Sequence, residues 1–411
     1  MTDFVETLRR RLDGIREQGL WRELHRLDAP TGRWIETGGR RLLNFASNDY
    51  LGLAAHPVLR EAAAQAARQF GAGSGASRSI CGSLAPHHEL ETALADFKGA
   101  EAALAFSSGY AAALGTIPAL VGAGDVVVLD KLVHACIVDA ARLSGAKLRV
   151  FAHNDLADLE VILRWAEARP RPAGEPAGNV LVVTESVFSM DGDQAPLTEL
   201  VKLKDRFGAW LMVDEAHATG LYGRQGRGLA EALGVAGRIE IQMGTLGKAL
   251  GAAGGFIAGS RELWELLINR ARSFVFSTAP VPAASAAATA ALDLVRSAAG
   301  DELRAQLWSR VRQLRDGLAN LGWPVPAEPS AILPLIVGDE AAAVELASRL
   351  REAGFFVPAI RFPTVARGAA RLRVTVSASH SPADVEGLLR ALAAGRPAAK
   401  NATPGVRQPH S

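Results

Sequence analysis

Short apolar runs alternate with longer helical patterns from about residue 100 onward. Runs such as VLVV and WLMV are apolar at every position, which is typical of parallel strands buried on both faces of a sheet. The segments between them have the spacing of amphipathic helices. We therefore predict an α/β domain with helices on both sides of a mainly parallel sheet. Its seven predicted strands span residues 103–106, 125–129, 147–151, 179–184, 210–213, 239–243 and 255–258.

The pattern changes after residue 277. An alanine-rich helical stretch runs to about residue 321 and is followed by an apolar run, a further helical pattern and the run RLRVTVS. This order predicts a second, smaller α+β domain. The last residues are rich in Pro, Ala and Gly without periodicity, which is typical of a disordered tail. The predicted organisation is a helical arm at 1–48, a large α/β domain at 49–285, a small α+β domain at 286–394 and a tail at 395–411.

Composition narrows the class of protein. The chain has 411 residues, of which 49% are hydrophobic and 21% charged, so most of it can bury a core. Its net charge of +2 gives no basic field for nucleic acid, and its two cysteines cannot build a disulfide framework. The N-terminus lacks the apolar core of a secretory signal, which predicts a cytoplasmic protein. Two charge-free stretches, 102–124 and 273–292, contain Gly, Ser or Pro and are predicted to be buried rather than to span a membrane.

The common nucleotide, hydrolase and metal motifs do not fit. FGAGSGASRS (70–79) lacks both the dinucleotide spacing and a preceding strand, and GTLGKALG (244–251) has Ala249 where a P-loop needs Ser or Thr. No G-x-S-x-G elbow occurs. The histidines at 87 and 88 are adjacent, so one helix face cannot direct both at a metal. We predict no metal site.

Polar residues follow two of the predicted strands. Asp214 ends the strand WLMV and His217 comes three residues later, at the edge where open α/β sheets build their sites. An alternative role for Asp214 is a helix N-cap. Lys248 stands among small and apolar residues, so its amine is either exposed beyond an apolar stem or desolvated and nucleophilic. A carboxylate, a histidine and a desolvated lysine together are what pyridoxal phosphate requires, because the carboxylate keeps the ring nitrogen protonated.

A third segment has the features of a phosphate site. AALAFSSGYAAALG predicts a strand, a turn at Ser107 to Tyr110 and then a helix, whose first amides would point at an anion. Taken alone, the segment could be an ordinary turn between a strand and a helix. Together with Asp214 and Lys248 it favours a bound phosphate.

With these residues located, the chain resembles the α-oxoamine synthases, pyridoxal-phosphate enzymes of the aspartate aminotransferase fold (fold type I). The resemblance extends over about residues 12–393. Its segments are NFASNDYLGLAAHP (44–57), FGAGSGASRSICGS (70–83), TESVFSMDGDQAPL (184–197), VDEAHATGLYGRQGRG (213–228), TLGKALG (245–251), FSTAP (276–280) and AIRFPTVARGAARLRVTVSASH (359–380).

The resemblance implies roles for residues at the cofactor ring. Lys248 would form the Schiff base with the cofactor, and Asp214 would pair with the pyridinium nitrogen. His217 and Ser189 would bond the ring hydroxyl. His134 would stack on the ring and assist as an acid or base, although a lone histidine at such a position is more often a core residue.

The resemblance also implies contacts to the phosphate and the substrates. The residues expected at the phosphate are Ser108, Gly109, Tyr110 and Thr245, with Ser277 and Thr278 of the partner subunit in a homodimer. The residues expected at the substrates are Asn48 and Arg361 for the amino-acid carboxylate, with Thr364 beside them and Arg22 for the acyl group.

Members of this family differ in their amino acid and acyl donor. Three segments are most similar to the biotin-pathway branch, which joins L-alanine to a pimeloyl thioester of coenzyme A or acyl-carrier protein: AIRFPTVARGAARLR, VFSMDGDQAPL and FAHNDLADLE. Phe362 and Ala366 stand where this branch is expected to have proline. The alternatives are synthases that use glycine with acetyl-CoA or succinyl-CoA, or serine with a long-chain acyl-CoA. A non-catalytic subunit of the same fold is disfavoured because Lys248 and Asp214 are both present.

Overall fold

The computed structural model describes residues 3–24, 26–169 and 178–394. At its centre is a seven-stranded sheet. Its strands are β3 (Ala102–Phe106), β4 (Val126–Asp130), β5 (Lys147–Phe151), β6 (Val180–Glu185), β7 (Trp210–Asp214), β8 (Ile241–Thr245) and β9 (Gly255–Gly259). They lie in the order β3-β9-β8-β7-β6-β4-β5. All neighbouring strands are parallel except β9, which runs antiparallel to both β3 and β8.

Two small sheets accompany the large one. One contains β1 (Trp34–Thr37), β2 (Arg40–Asn44) and β11 (Phe355–Phe356), in that order. The other contains β10 (Ile332–Gly338), β13 (Ala370–Thr375) and β12 (Ala359–Ile360), in that order. Because β11 pairs with β2, the N-terminal and C-terminal parts of the chain share a sheet.

The helices pack on the faces of these sheets and between them. Strands β4 and β6 are apolar until the polar residues that end them and are buried along almost their whole length, as strands covered by helices on both sides are. In chain order the helices are α1 (Phe4–Glu17), α2 (Pro57–Phe70), α3 (Ala85–Lys98), α4 (Gly109–Leu120), α5 (Ala135–Ser144), α6 (Leu156–Glu167), α7 (Leu197–Arg206), α8 (Leu229–Ala232), α9 (Arg261–Arg270), α10 (Arg272–Val275), α11 (Pro282–Arg296), α12 (Ala298–Asn320), α13 (Glu340–Glu352) and α14 (Pro382–Ala394).

Two apolar cores lie on the two faces of the large sheet. One contains Leu159 and Val201 from α6 and α7, and the other contains Ala112 and Ile137 from α4 and α5. A third core joins α2, α3 and α11 to the C-terminal sheet. None of the described helices combines the length and the apolar character needed to cross a bilayer.

The predicted fold class is confirmed, and each of the seven predicted strands lies within two residues of an observed one. The arm predicted to be helical differs: after α1 it forms β1 and β2. Both strands are short and half exposed, and β2 depends on pairing with β11 some 300 residues later, so local pattern could not predict them. The predicted tail lies outside the described residues.

Candidate active site

Acidic and polar residues end the central parallel strands on one edge of the sheet. Asp130, Glu185, Asp214 and Thr245 are the last residues of β4, β6, β7 and β8. Glu185 pairs with Asp214 in the register of β6 and β7. The carboxyl edge of an open parallel sheet is where such folds bind ligands, so this edge is the candidate site.

Asp214 is buried where β7 ends. Its Oδ1 accepts a hydrogen bond of 2.8 Å from the amide of Ala216, so it also stabilises the turn that follows the strand. Burial raises the pKa of Asp214, while the positive charge of Lys248 and the hydrogen bond from the Ala216 amide oppose the rise. The carboxylate is therefore suited to pair with a cation inside the site.

Lys248 lies in the loop between β8 and β9, and its amine is buried in the site. Burial lowers the pKa of the Lys248 amine, while Asp214 and Glu185 oppose this effect. Its Nζ lies 2.8 Å from Nε2 of His217. Of the two alternatives for this lysine, the structure therefore has the desolvated amine.

A chain of hydrogen bonds runs from Lys248 across the site. The His217 ring bonds Lys248 at Nε2 and, through Nδ1, the Tyr50 hydroxyl at 2.5 Å. Tyr50 donates to Oδ1 of Asn48 at 3.3 Å. Arg373 donates to the same oxygen at 3.2 Å. A neutral His217 protonated on Nδ1 satisfies every bond in this chain.

The electrostatics agree with that arrangement. Burial, and then the charge of Lys248, lowers the pKa of His217 well below its usual value, so the ring is neutral near pH 7. Burial raises the pKa of Tyr50 to about 12, so the phenol keeps its proton. Each group therefore has the protonation state that the chain of hydrogen bonds requires.

Arg373 is a functional candidate that the sequence analysis did not identify. It is buried on β13, where Nε donates to the carbonyl of Ser189 at 2.6 Å and Nη1 donates to Thr375 at 3.0 Å. A signal was present: RLRVTVS has arginines at alternate positions of a predicted strand, so both face the same way. A buried cation beside Asn48 is suited to bind a carboxylate.

The phosphate candidates lie at the start of α4. Ser108 caps this helix by accepting from the amide of Ala111 at 3.0 Å. The amides of Gly109 and Tyr110 lie in the first turn, where a helix has no carbonyl to offer them. A methyl group on Gly255 would lie 2.4 Å from the Gly109 amide nitrogen, so only glycine allows β9 to approach this turn.

The other residues predicted to bind the phosphate lie beside the start of α4 or after α10. Thr245 Oγ1 donates to the carbonyl of Gly254 at 3.1 Å, beside the same turn. We call Ser108, Gly109, Tyr110 and Thr245 the phosphate cradle. The Tyr110 hydroxyl bonds Asp139 on α5, so the amide of Tyr110, rather than its side chain, is left to contribute to this cradle. Ser277 and Thr278 follow α10, and Thr278 forms a bridge with Ser77.

His134 caps α5 at the edge of the site. Its Nδ1 accepts from the amide of Cys136 at 3.2 Å. Burial lowers the pKa of His134, with Asp214 opposing the shift and Lys248 adding to it. The ring is therefore neutral, and it lies close enough to Asp214 and Lys248 for their charges to affect its pKa.

Three of the predicted substrate residues lie apart from the buried set. Arg361 donates to the carbonyl of Trp21 at 3.3 Å, and the Thr364 amide donates to the carbonyl of Arg361 at 3.0 Å. Arg22 and Thr364 are exposed. Arg361 therefore joins Arg22 and Thr364 in a separate group, whereas Arg373 is the arginine that contacts Asn48.

The residues fit pyridoxal phosphate. Asp214 offers a buried carboxylate for a ring cation, Lys248 offers a desolvated amine, and the glycine-lined start of α4 offers free amides to a phosphate. Both ring nitrogens of His217 bond protein groups, Lys248 and Tyr50, and its bond to the cofactor ring hydroxyl stays a prediction. Ser189 contributes its carbonyl to Arg373.

Comparison with known proteins identifies the family. Residues 40–392 match the family model described as aminotransferase class I and II. The chain is 48% identical over 394 residues to an 8-amino-7-oxononanoate synthase of Herminiimonas arsenicoxydans, covering 95% of this chain and 99% of that one. It is 54% identical over 388 residues to the protein of the same name from Anaeromyxobacter sp. (strain Fw109-5), covering 94% and 95%.

Solved structures have the same fold. A serine palmitoyltransferase from S. paucimobilis with PLP bound aligns with a TM-score of 0.88 at 31% identity, covering 96% of this chain and 98% of that one. An 8-amino-7-oxononanoate synthase from Francisella tularensis aligns with a TM-score of 0.72 at 27% identity, covering 86% and 97%.

The chain belongs to the class I and II aminotransferase family and is a pyridoxal-phosphate-dependent enzyme. Within that class it is an acyltransferase of the type of the 8-amino-7-oxononanoate synthases, and its resemblance to the α-oxoamine synthases is confirmed.

Proposed function

We propose that the chain condenses L-alanine with a pimeloyl thioester of coenzyme A or acyl-carrier protein, giving 8-amino-7-oxononanoate, carbon dioxide and the free thiol in biotin biosynthesis. The observation on which the proposal rests is the buried chain of hydrogen bonds that links the Lys248 amine to Arg373. This chain of hydrogen bonds has an amine at one end and, at the other, a cation that can bind a carboxylate. An amino-acid substrate requires both groups. The names of the relatives support the product.

The amino-acid carboxylate is assigned to Arg373 and Asn48. The Arg373 guanidinium is buried, and the Ser189 carbonyl orients it without neutralising its charge. Asn48 adds an amide whose Oδ1 is already turned toward Arg373, so its NH₂ group remains to donate to a carboxylate oxygen. A charge-assisted contact of this kind would orient the substrate α-carbon toward Lys248.

Lys248 is assigned to hold the cofactor and, once the amino acid has taken its place, to remove the α-proton. Burial lowers the pKa of this amine, which makes its free base more accessible near neutral pH. His217 Nε2 accepts a hydrogen bond from the Lys248 amine, so the lone pair of the amine points away from the histidine ring. Pyridoxal phosphate, when bound, supplies an electron sink for the α-carbon, and the Asp214 carboxylate would keep its ring nitrogen protonated.

The acyl transfer then follows from the same residues. The α-carbon forms a bond to the thioester carbonyl, the carbon–sulfur bond breaks and the thiolate leaves to take up a proton. The product acid loses carbon dioxide, and Lys248 returns a proton to the α-carbon. His134, which is neutral near pH 7, is assigned as an acid or base in these steps.

Arg22, Arg361 and Thr364 are proposed to contact the acyl substrate. They form a partly exposed group outside the chain of hydrogen bonds. Two arginines at such a position would attract the negative charges of a pimeloyl group and of its carrier. We also propose a cytoplasmic homodimer in which Ser277 and Thr278 of the partner subunit complete the phosphate site.

A thiol-release assay tests the substrates. Purified protein loaded with pyridoxal phosphate is mixed with L-alanine, glycine or L-serine, each paired with pimeloyl-, acetyl-, succinyl- or palmitoyl-CoA. Release with L-alanine and the pimeloyl donor alone is the expected result. Turnover only with L-serine and palmitoyl-CoA would replace this proposal with the second candidate, which the TM-score of 0.88 to a serine palmitoyltransferase supports.

Lys248→Ala gives the matched negative control. We expect thiol release to fall at least 1000-fold, since this change removes the proposed nucleophile and base together. Lys202→Ala, at an exposed lysine on α7, should leave the rate within twofold. Equal rates in the two variants would contradict the role of Lys248.

A further inference from the structure

His153 lies between two carboxylates outside the proposed catalytic residues. Its Nδ1 lies 2.9 Å from Asp130 at the end of β4, and its Nε2 lies 2.6 Å from Asp193. Asn154 adds to the same cluster, because its amide donates to Asp130 at 2.9 Å and its side chain donates to Asp193 at 3.2 Å. The cluster therefore joins the end of β4 to a loop that follows β6.

This histidine is charged over the physiological range. Burial alone would lower its pKa, but hydrogen bonds to Asp130 and Asp193 and their negative charges raise the pKa of His153 to about 10. With both ring nitrogens donating, the imidazolium serves each carboxylate at once. Asp130 is fully buried, so a positive neighbour also offsets the cost of burying its charge.

Asp193 belongs to a loop that we call the Ser189 loop, residues 186–195. Hydrogen bonds within the loop close a tight turn: the Gly192 amide donates to the carbonyl of Phe188 at 2.9 Å, and the Phe188 amide donates to the carbonyl of Asp193 at 3.0 Å. The Phe188 ring packs edge-on against the His153 ring, with centroids 4.4 Å apart. His153 therefore holds the loop through both a charge and a ring contact.

The opposite contacts of the Ser189 loop are with β13. The Ser189 carbonyl accepts from Nε of Arg373 at 2.6 Å, and Asp191 forms an ion pair with Arg371. A methyl group on Gly192 would lie 2.3 Å from the Ile332 carbonyl oxygen, so the loop packs directly on β10 as well. A shift of the loop would move the acceptor that orients the Arg373 guanidinium.

We propose that His153 is a positioning residue, which through Asp193 and the Ser189 loop sets the orientation of Arg373 and thereby the affinity for the amino-acid carboxylate. The inference rests on the proposed function, because it takes Arg373 as the carboxylate site. His153 itself touches no reacting atom in this scheme. Its effect on substrate binding should therefore be larger than its effect on cofactor binding, which the loop reaches only through Ser189.

The test compares His153→Gln with Asp193→Asn, two changes that break the same link from opposite sides. L-Alanine is titrated into each loaded variant, and the change in absorbance of bound pyridoxal phosphate gives the dissociation constant. We expect both variants to bind L-alanine about tenfold more weakly, which is the effect of losing one charge-assisted hydrogen bond. The double variant should be no weaker than His153→Gln alone, since one link is lost in all three.

Cofactor affinity and a matched histidine provide the controls. Titration of pyridoxal phosphate into cofactor-free protein should give a dissociation constant that changes less than the one for L-alanine, because the phosphate contacts at the start of α4 lie outside the Ser189 loop and only the expected bond from Ser189 to the ring hydroxyl lies within it. His88→Gln removes an exposed histidine that bonds Ser83 and should leave both constants unchanged. Asp193 is one-third exposed, so Asp193→Asn supplies the test even where His153→Gln does not fold.

The outcomes separate this inference from the proposed function. A wild-type spectrum that responds to glycine or L-serine instead of L-alanine overturns the proposed substrate, and the variants are then titrated with that amino acid. Unchanged amino-acid affinity in both variants overturns the role of His153 while the proposed function stands. Equal losses of amino-acid and cofactor affinity would also overturn it, because they indicate a general structural effect. A wild-type protein that responds to none of the three amino acids overturns both proposals.

Discussion

Among single residues, the protonation of a buried histidine depends on the balance between burial, which lowers its pKa, and its hydrogen-bond partners. His380 stacks on Phe45, with ring centroids 4.1 Å apart. Its ring accepts from the Ser377 amide at 3.0 Å and donates to the Asn44 carbonyl at 3.0 Å, so a neutral ring satisfies both bonds. Burial lowers the pKa of His380 to about 4. His153, between two carboxylates, has the opposite shift.

The neutral His380 makes stability depend on pH. Because its folded pKa of about 4 lies below the unfolded value of 6.5, its contribution is complete above pH 6.5 and is lost as the pH falls toward 4. We expect the wild type to lose about 3 kcal/mol more than His380→Gln between pH 7 and pH 4. Urea unfolding at each pH measures this difference. His88→Gln should follow the wild type, and parallel profiles for all three proteins would contradict the assignment.

Gly255 lies directly against the start of α4. In Gly255→Ala the new methyl group would lie 2.4 Å from the Gly109 amide nitrogen, so the start of α4 must move. We expect the affinity for pyridoxal phosphate to fall about tenfold or more, since amides at a helix start bind phosphate only when they converge. Titration of cofactor-free protein measures this affinity. Gly237→Ala, where a methyl group has open space, should bind the cofactor as the wild type does.

The sequence was sufficient to predict that Asp214, His217 and Lys248 lie together, because each follows an apolar strand whose carboxyl end is the expected position of a site. It was not sufficient for Tyr50 and Arg373. Their contacts with His217 and Asn48 depend on segments more than 160 residues apart, and no local pattern encodes that approach. The charged alternation of RLRVTVS was the available signal for Arg373.

At the scale of elements, the turn after β7 is held by an ion pair from another helix. Lys98 at the end of α3 donates to Glu215 at 2.5 Å and to the Arg227 carbonyl at 2.5 Å, and both side chains of the pair are essentially inaccessible. The second oxygen of Glu215 accepts from the Ala230 amide at 2.9 Å. One carboxylate thus connects α3, β7 and α8 immediately beside Asp214.

Removal of one partner should therefore be more harmful than removal of both. Lys98→Met leaves Glu215 buried without a countercharge, and we expect the free energy of unfolding to fall by about 3 to 5 kcal/mol. Lys98→Met combined with Glu215→Gln should recover part of that loss. Urea unfolding of the wild type and the two variants makes the comparison. A double variant that is less stable than Lys98→Met would show that the carboxylate has a role beyond this pair.

At the scale of the whole molecule, apolar side chains are exposed around the phosphate cradle. Ile80 and Phe276 are 78% and 73% exposed, and the bridge between Ser77 and Thr278 brings their segments together. A group of large apolar side chains beside a site is typical of an interface. The position agrees with the proposed homodimer, in which Ser277 and Thr278 of the partner subunit reach the phosphate.

A charge in this surface tests the dimer. Phe276→Asp should shift the sedimenting mass from twice the 43.2 kDa chain toward the single chain and weaken cofactor binding with it, because a buried unpaired charge opposes association. Val161→Asp changes a valine that is 65% exposed on α6, away from these segments, and should leave the mass unchanged. A wild-type protein that sediments as a single chain would contradict the shared site.

The hydrogen bonds between Lys248 and Asn48 also have a polarity. Lys248 donates to His217, His217 to Tyr50 and Tyr50 to Asn48, where the series meets an opposing donor from Arg373. If one of these hydrogen bonds reversed its direction alone, two donors or two acceptors would face each other. The hydrogen bonds can therefore reverse only all together. The tautomer of His217 is thus specified jointly by Lys248 and Arg373, at the two ends of this chain of hydrogen bonds. A change in the protonation of the amine would therefore alter the hydrogen bonds that reach the guanidinium, although the two groups make no direct contact in it.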